Sequence, residues 1–161
     1  MDSRESVEQR KYQEHFLKLA GYCSYRERCL SEVMAKMDML AVDEAHRTLL
    51  VQKLTEHGYI NEERFAAMFV SGKTRLKGWG KHKIRAALAQ KKISTGTIDN
   101  VLKQLDEADY ATTLNKALSQ KLKSLKDSDC YIKKNKLARY AIGKGFEPEL
   151  VWQWIKVNFK F

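Results

Sequence analysis

Between Lys73 and Lys92 the chain reads KTRLKGWGKHKIRAALAQKK, with eight Lys or Arg and no Asp or Glu. Lys73, Arg75, Lys77, Lys81, Lys83, Arg85, Lys91 and Lys92 are charges that no acid within the stretch can neutralise. Such a set makes and breaks no bonds; it binds phosphates and releases their condensed counterions. Trp79 stands between Gly78 and Gly80 in the same stretch, and two uses are open to it. The glycines could bend the chain so that the indole folds back as a core plug, or the ring could stay partly exposed and stack on a base or a partner side chain. A second cationic set, looser in spacing, follows between Lys116 and Arg139 and faces Asp127 and Asp129. Its densest part is Lys133, Lys134, Lys136 and Arg139. It reads equally well as a further binding surface or as the wet face of long helices.

Nothing in the chain points to catalysis. His15, His46, His57 and His82 are scattered, and no metalloprotease, nucleophile-elbow or phosphate-loop pattern occurs. Glu62-Glu63 are adjacent carboxylates, but they follow the Gly58-Tyr59 break, where acids at a helix start serve the helix dipole. Cys23, Cys29 and Cys130 lack metal-ligand or CxxC spacing, so neither a metal nor a cofactor is expected. So sparse and odd a set suits a reducing cytoplasm. The opening MDSRESVEQRKYQEHF is polar and acid-bearing, unlike a signal or transit peptide, and no apolar run reaches the roughly 18 residues of a membrane span. The net charge of +10 favours polyanionic partners, while 43% apolar residues suffice for a packed core. A soluble protein with generous lysine is the plainer reading of the same charge.

The elements that must hold these residues are helices. Apolar residues recur at three- and four-residue spacings, Pro occurs once, and no sustained alternation marks a strand. Ser24-Tyr25-Arg26-Glu27 has the pattern of a capping box ahead of Cys29, and Pro148 suits the first turn of a last helix. RCLSEVMAK (28–36), KIRAALAQK (83–91) and KLARYAIGK (136–144) align, with offsets of 55 and 53 residues between copies. Each copy is followed by another amphipathic helix. The pattern predicts an all-α fold, an elongated array of three tandem three-helix repeats. A polar segment spans 1–13, and the repeats span 14–58, 59–107 and 108–161, the second being the most basic. At about 100° per residue, Lys81, Arg85 and Lys92 fall on one stripe beside the Ile84/Leu88 core face. The aligned positions are Arg26, Leu30 and Met37 in the first unit and Lys134, Ala138 and Gly145 in the third, so only the middle unit carries three cations there.

GYINEERFAAMFV (58–70) followed by GWGKHKIRAALAQKKI (78–93) resembles the RecX family of bacterial RecA regulators. Gly58, Tyr59, Ile60, Asn61, Glu62, Arg64, Phe65 and Ala66 match that family's most recognisable stretch. Gly78, Gly80, Lys83, Ile84, Leu88 and Lys91 match its Gly-x-Gly and basic helix. The first unit departs from it, with AKMDML where a Lys-Gly helix end is usual. The resemblance implies a non-enzymatic, cytoplasmic monomer active in recombinational DNA repair and the SOS response. It would bind the filament of RecA on single-stranded DNA, contact double-stranded DNA as well, and inhibit ATP hydrolysis, strand exchange and filament growth. From the residues alone the rival is a stand-alone helical nucleic-acid-binding module with no obligate protein partner.

Overall fold

The computed structural model describes residues 3–159, and the elements among them are all helices. They are α1 (Ser3–Tyr25), α2 (Leu30–Met39), α3 (Glu44–Glu56), α4 (Glu62–Lys77), α5 (Lys81–Gln90), α6 (Thr95–Lys103), α7 (Glu107–Ser124), α8 (Cys130–Gly143) and α9 (Pro148–Asn158). No described helix is long and apolar enough to cross a membrane.

Short polar side chains set the starts of four of them. Asn61 Oδ1 accepts the Arg64 N–H at 2.9 Å, Ser94 Oγ that of Thr97 at 3.3 Å, and Asp106 Oδ1 that of Asp109 at 2.9 Å. Asp129 Oδ1 takes two, from Tyr131 at 2.7 Å and Ile132 at 3.2 Å. Each bond satisfies an N–H that the first turn cannot pair internally. Pro148 opens α9, as its missing N–H predicts.

One sequence expectation fails at the N-terminal end. Residues 3–13, of the polar segment expected over 1–13, are almost all exposed and form the first turns of α1. Ser24 is likewise inside α1, where its hydroxyl donates to the Ala20 carbonyl at 2.8 Å. The start of α2 lies five residues further on. There Cys29 N–H donates to Glu32 Oε2 at 3.3 Å, and Leu30 N–H donates to Glu62 Oε1 at 2.6 Å. Glu27 is instead the partner of Arg64, whose Nε reaches it at 2.5 Å. The N–H of Cys29 is served by Glu32, and its side chain is fully buried.

The repeat alignment survives as a burial pattern. Cys29 and Val33, Ile84 and Leu88, and Leu137 and Ala141 are all fully buried, and Lys36, Lys91 and Lys144 are all half-buried. Three helices accordingly accompany each copy: α1–α3, α4–α6 and α7–α9. The chain gathers into two compact units, one holding Met1–Phe65 with Lys91–Ile93, the other Ala66–Gln90 with Ser94–Phe161. In the first, Leu19, Val33, Met37, Leu50 and Leu54 make the centre of one core. In the second, Leu118, Leu137, Phe146 and Val151 make the centre of another. Lys91–Ile93 belongs with the first unit because the carbonyl of Lys91 accepts from Ser31 Oγ at 2.9 Å and its ammonium pairs with Glu32 at 3.1 Å.

Candidate nucleic-acid interface

The Gly-Trp-Gly turn is held by backbone packing. Gly80 N–H donates to the Lys144 carbonyl at 2.8 Å, and His82 N–H donates to the Gly145 carbonyl at 2.9 Å. A Cβ on Gly80 would fall within 3.0 Å of the Gly145 and Phe146 backbone; a Cβ on Gly145 would do the same to Lys83. Gly145 also has φ +98, a left-handed conformation that costs a side-chain-bearing residue about 1–2 kcal/mol. Thus the α4–α5 turn is seated directly on the end of α8. Lys81 N–H donates to the Tyr110 hydroxyl at 3.0 Å, and that hydroxyl donates to Glu147 Oε2 at 2.7 Å. Burial pushes the Tyr110 phenol far above its ordinary pKa, and the bond to Glu147 adds to this, so the group is a permanent donor.

On this seat Trp79 is half-buried. The ammonium of Lys73 lies 4.7 Å from its ring centroid and that of Lys83 lies 4.5 Å away. Lys73 is also 5.3 Å from the ring of Phe69. The indole is therefore neither a sealed plug nor a bare exposed ring. It is an aromatic surface with two cations on it, each stabilised by the ring quadrupole. A stacked base and the phosphates flanking it meet both requirements of a single-strand site in such a place.

The other candidates are dispersed. Arg75 and Lys77 are exposed in the last turn of α4 and form no ion pair with a described residue. Lys81 sets its ammonium 4.8 Å from the Tyr110 ring. Arg85 is exposed but bound to Asp99 at 2.6 Å, so a phosphate would have to displace a carboxylate. Lys91 is committed to Glu32. Lys92 does not continue the helical stripe with Lys81 and Arg85: α5 ends at Gln90, and Lys92 is exposed at φ +62 in the other compact unit. In α8, Lys136 is paired with Asp127 at 2.9 Å, and Lys134 lies 5.8 Å from the Phe159 ring. Lys133 is half-buried, while Arg139 is exposed with no ion pair to a described residue. So the structure brings together Lys73, Trp79 and Lys83 and leaves the remainder as separate charges. Sequence reasoning passed over Tyr110, Glu147 and Gly145 as parts of the seat. The signal available was the alignment of Lys144-Gly145 with Lys91-Lys92.

The residues of the GYINEERFA stretch are mostly architectural. Gly58 has φ +75, Ile60, Phe65 and Ala66 are buried, Asn61 caps α4, and Glu62 serves the start of α2. Arg64 ties Glu27 to the Gly58 carbonyl, which it meets at 2.7 Å. Among the described residues no cluster of three or more His, Cys, Asp or Glu could hold a metal.

Comparison with known proteins fits this arrangement. A family model described as RecX, second three-helix domain, matches residues 61–102, and the RecX third three-helix domain matches 108–155. Regulatory protein RecX of Chlorobium phaeobacteroides is 31% identical over 135 residues, covering 84% of this chain and 87% of that protein. The chain belongs to the RecX family. Regulatory protein RecX of Clostridium botulinum (strain Eklund 17B / Type B) is 29% identical over 80% of this chain, which spans only 62% of that longer relative. A crystal structure of a regulatory protein RecX superimposes with a TM-score of 0.85 at 21% identity, covering 98% of this chain and 80% of that one. The RecX structure from Lactobacillus salivarius gives 0.84 at 19% identity, covering 92% and 97%. These likenesses establish the all-α tandem-repeat fold and a RecX-type regulatory role.

Proposed function

We propose that the chain is a non-enzymatic regulator that binds the RecA filament on single-stranded DNA and lowers its ATPase, strand exchange and growth. Family membership supports the partner. The observation that carries the DNA contact is the triad of Lys73, Trp79 and Lys83 on a turn fixed by backbone hydrogen bonds. Arg139 is a further exposed cation of the same unit, and Lys92 is an exposed cation of the other; Arg75 and Lys77 are exposed at the end of α4, and Lys81, Arg85, Lys91, Lys133, Lys134 and Lys136 are more strongly engaged by the fold. The proposed domain plan remains three repeats, with the first helix running through what the sequence suggested was a separate segment.

A titration of the cognate recombinase's DNA-dependent ATPase tests this reading. Inhibition should set in at protein concentrations too low to coat the DNA. Inhibition only at coating concentrations would mean site competition by a stand-alone nucleic-acid-binding module. In parallel, Lys73→Ala with Lys83→Ala should flatten the salt dependence of binding to single-stranded DNA. Two lost phosphate contacts at about 0.7 each reduce the log–log slope by about 1.4. An unchanged slope would remove the triad from the interface.

A further inference from the structure

On the second compact unit, α4 and α7 wall a groove of about 850 Å³ beside the Gly-Trp-Gly turn. Its walls run from Ala67 to Lys77 along α4, with Gly78 just beyond, and from Asp109 to Gln120 along α7. Each is about 18 Å long at 1.5 Å per residue, the length of a peptide segment rather than a small molecule. Val70, Val101, Leu105 and Ala117 give it an aliphatic lining, and Leu76 stands 84% exposed beside it. Arg75, Lys77, Lys116 and Lys144 are among its lining residues, against two acids, Asp106 and Asp109. The wall also holds Thr74, which is 3% exposed and whose hydroxyl has no hydrogen-bond partner.

We propose that this groove docks an acidic, amphipathic segment of the protein partner, its apolar side chains on the aliphatic lining and its carboxylates on the cations of the groove. The inference rests on the regulatory reading above and adds where the partner is gripped. A groove flanked by two helices and lined this way fits helix-in-groove recognition, read through apolar anchors at i, i+3, i+4 and i+7. Nucleic acid fits it less well. Asp106 and Asp109 in its lining repel phosphate. Base stacking has a better platform at Trp79, which is not part of the groove.

Photocrosslinking on the assembled complex tests it. A photoreactive phenylalanine is placed at Thr112 or Ser71, both exposed in the walls, or at Lys83 beside Trp79, and the full chain is irradiated on the cognate recombinase filament. The Thr112 and Ser71 probes should capture recombinase, and the captured peptide should be net acidic with apolar residues at helical spacing. The Lys83 probe should capture DNA. Ser71→Trp, a plug at a solvent-facing position, should weaken ATPase inhibition more than about tenfold while single-stranded DNA affinity stays within about twofold. DNA adducts from Thr112 and Ser71, a neutral or basic captured peptide, or full inhibition by the plugged variant would each overturn the assignment. No recombinase capture from the groove while the chain still inhibits the ATPase would overturn the groove alone and leave the regulatory reading intact. Loss of inhibition by the unmodified chain would instead remove that reading.

Discussion

Gly80→Ala should be among the most costly single-methyl additions in this protein. The added Cβ would lie within 3.0 Å of the Gly145 carbonyl carbon and oxygen and the Phe146 nitrogen. All three are backbone atoms, so no side-chain rotation relieves the contact. Phe146 is fully buried behind them, and the two strands of chain are pinned by Gly80 N–H to Lys144 O and His82 N–H to Gly145 O. Overpacking of a close contact costs about 1–3 kcal/mol. Separating the segments also weakens two backbone hydrogen bonds, about 1 kcal/mol each. The expected loss is about 3–5 kcal/mol. With a urea m-value of about 2 kcal/mol/M, the midpoint falls by about 1.5–2.5 M. Gly72→Ala in α4 is the matched control. Nothing lies within 4 Å of its added Cβ, so it should gain about 0.5–1 kcal/mol from helix propensity and lower unfolded-state entropy. Urea unfolding followed by helical circular dichroism reads both. If Gly80→Ala stays within about 0.5 kcal/mol of the parent, the turn is not seated on α8 as described, and the fixed geometry claimed for Trp79 loses its basis.

Three further outcomes are expected. Tyr110→Phe leaves Glu147 without its donor and Lys81 N–H without its acceptor in a part-buried site, so urea unfolding should show a loss of about 1–3 kcal/mol. Lys92→Gly should raise stability by about 1–2 kcal/mol by relieving a left-handed lysine, measured by the same unfolding; any loss of DNA affinity in that variant reports the lysine's charge. Glu32 sits where burial pushes its carboxyl up but the Lys91 ammonium and Arg26 guanidinium more than offset that, so its folded pKa is depressed. Its contribution is therefore fully present above the ordinary carboxylate range and is lost as pH falls through the folded value. Glu32→Gln should accordingly destabilise the protein near neutrality, with the difference shrinking towards acid pH in a series of unfolding curves.

Helical periodicity and the alignment of Cys29/Val33, Ile84/Leu88 and Leu137/Ala141 were legible in the sequence because burial on one helix face repeats with the period of the helix. Helix ends were less so. The Ser24–Glu27 pattern satisfies a capping box on paper, yet Cys29 takes that place because its own side chain is buried and Glu62, 32 residues after Leu30 in the chain, reaches back to finish the turn. Local pattern cannot register a partner that only tertiary packing supplies. The stripe of Lys81, Arg85 and Lys92 failed for a related reason. An ideal helix was extended past Gln90, whereas Lys92 turns left-handed and Arg85 meets Asp99 from α6. Charge in a sequence counts cations; only the structure says which are already paired.

The two glycines around Trp79 acquire their meaning from that distinction. Gly80 has no side chain because the α8 end passes too close, and Gly145 answers it from the other side. The aligned carbonyl of Lys91 is used in the same way by Ser31, while the left-handed place held by Gly145 in the third copy is held by Lys92 in the second. One device, the helix end of one copy receiving a donor from the copy before it, thus recurs along the chain. In the third copy it is tight enough to demand glycine on both sides. Trp79 lies between the residues so constrained, and Lys83 extends from the backbone that meets Gly145. A binding platform made of long, flexible lysines gains definition from a seat that cannot shift, since less freedom remains to be lost when a ligand arrives. The glycines that carry the family resemblance therefore touch no ligand in this reading; they fix the position of the residues that do.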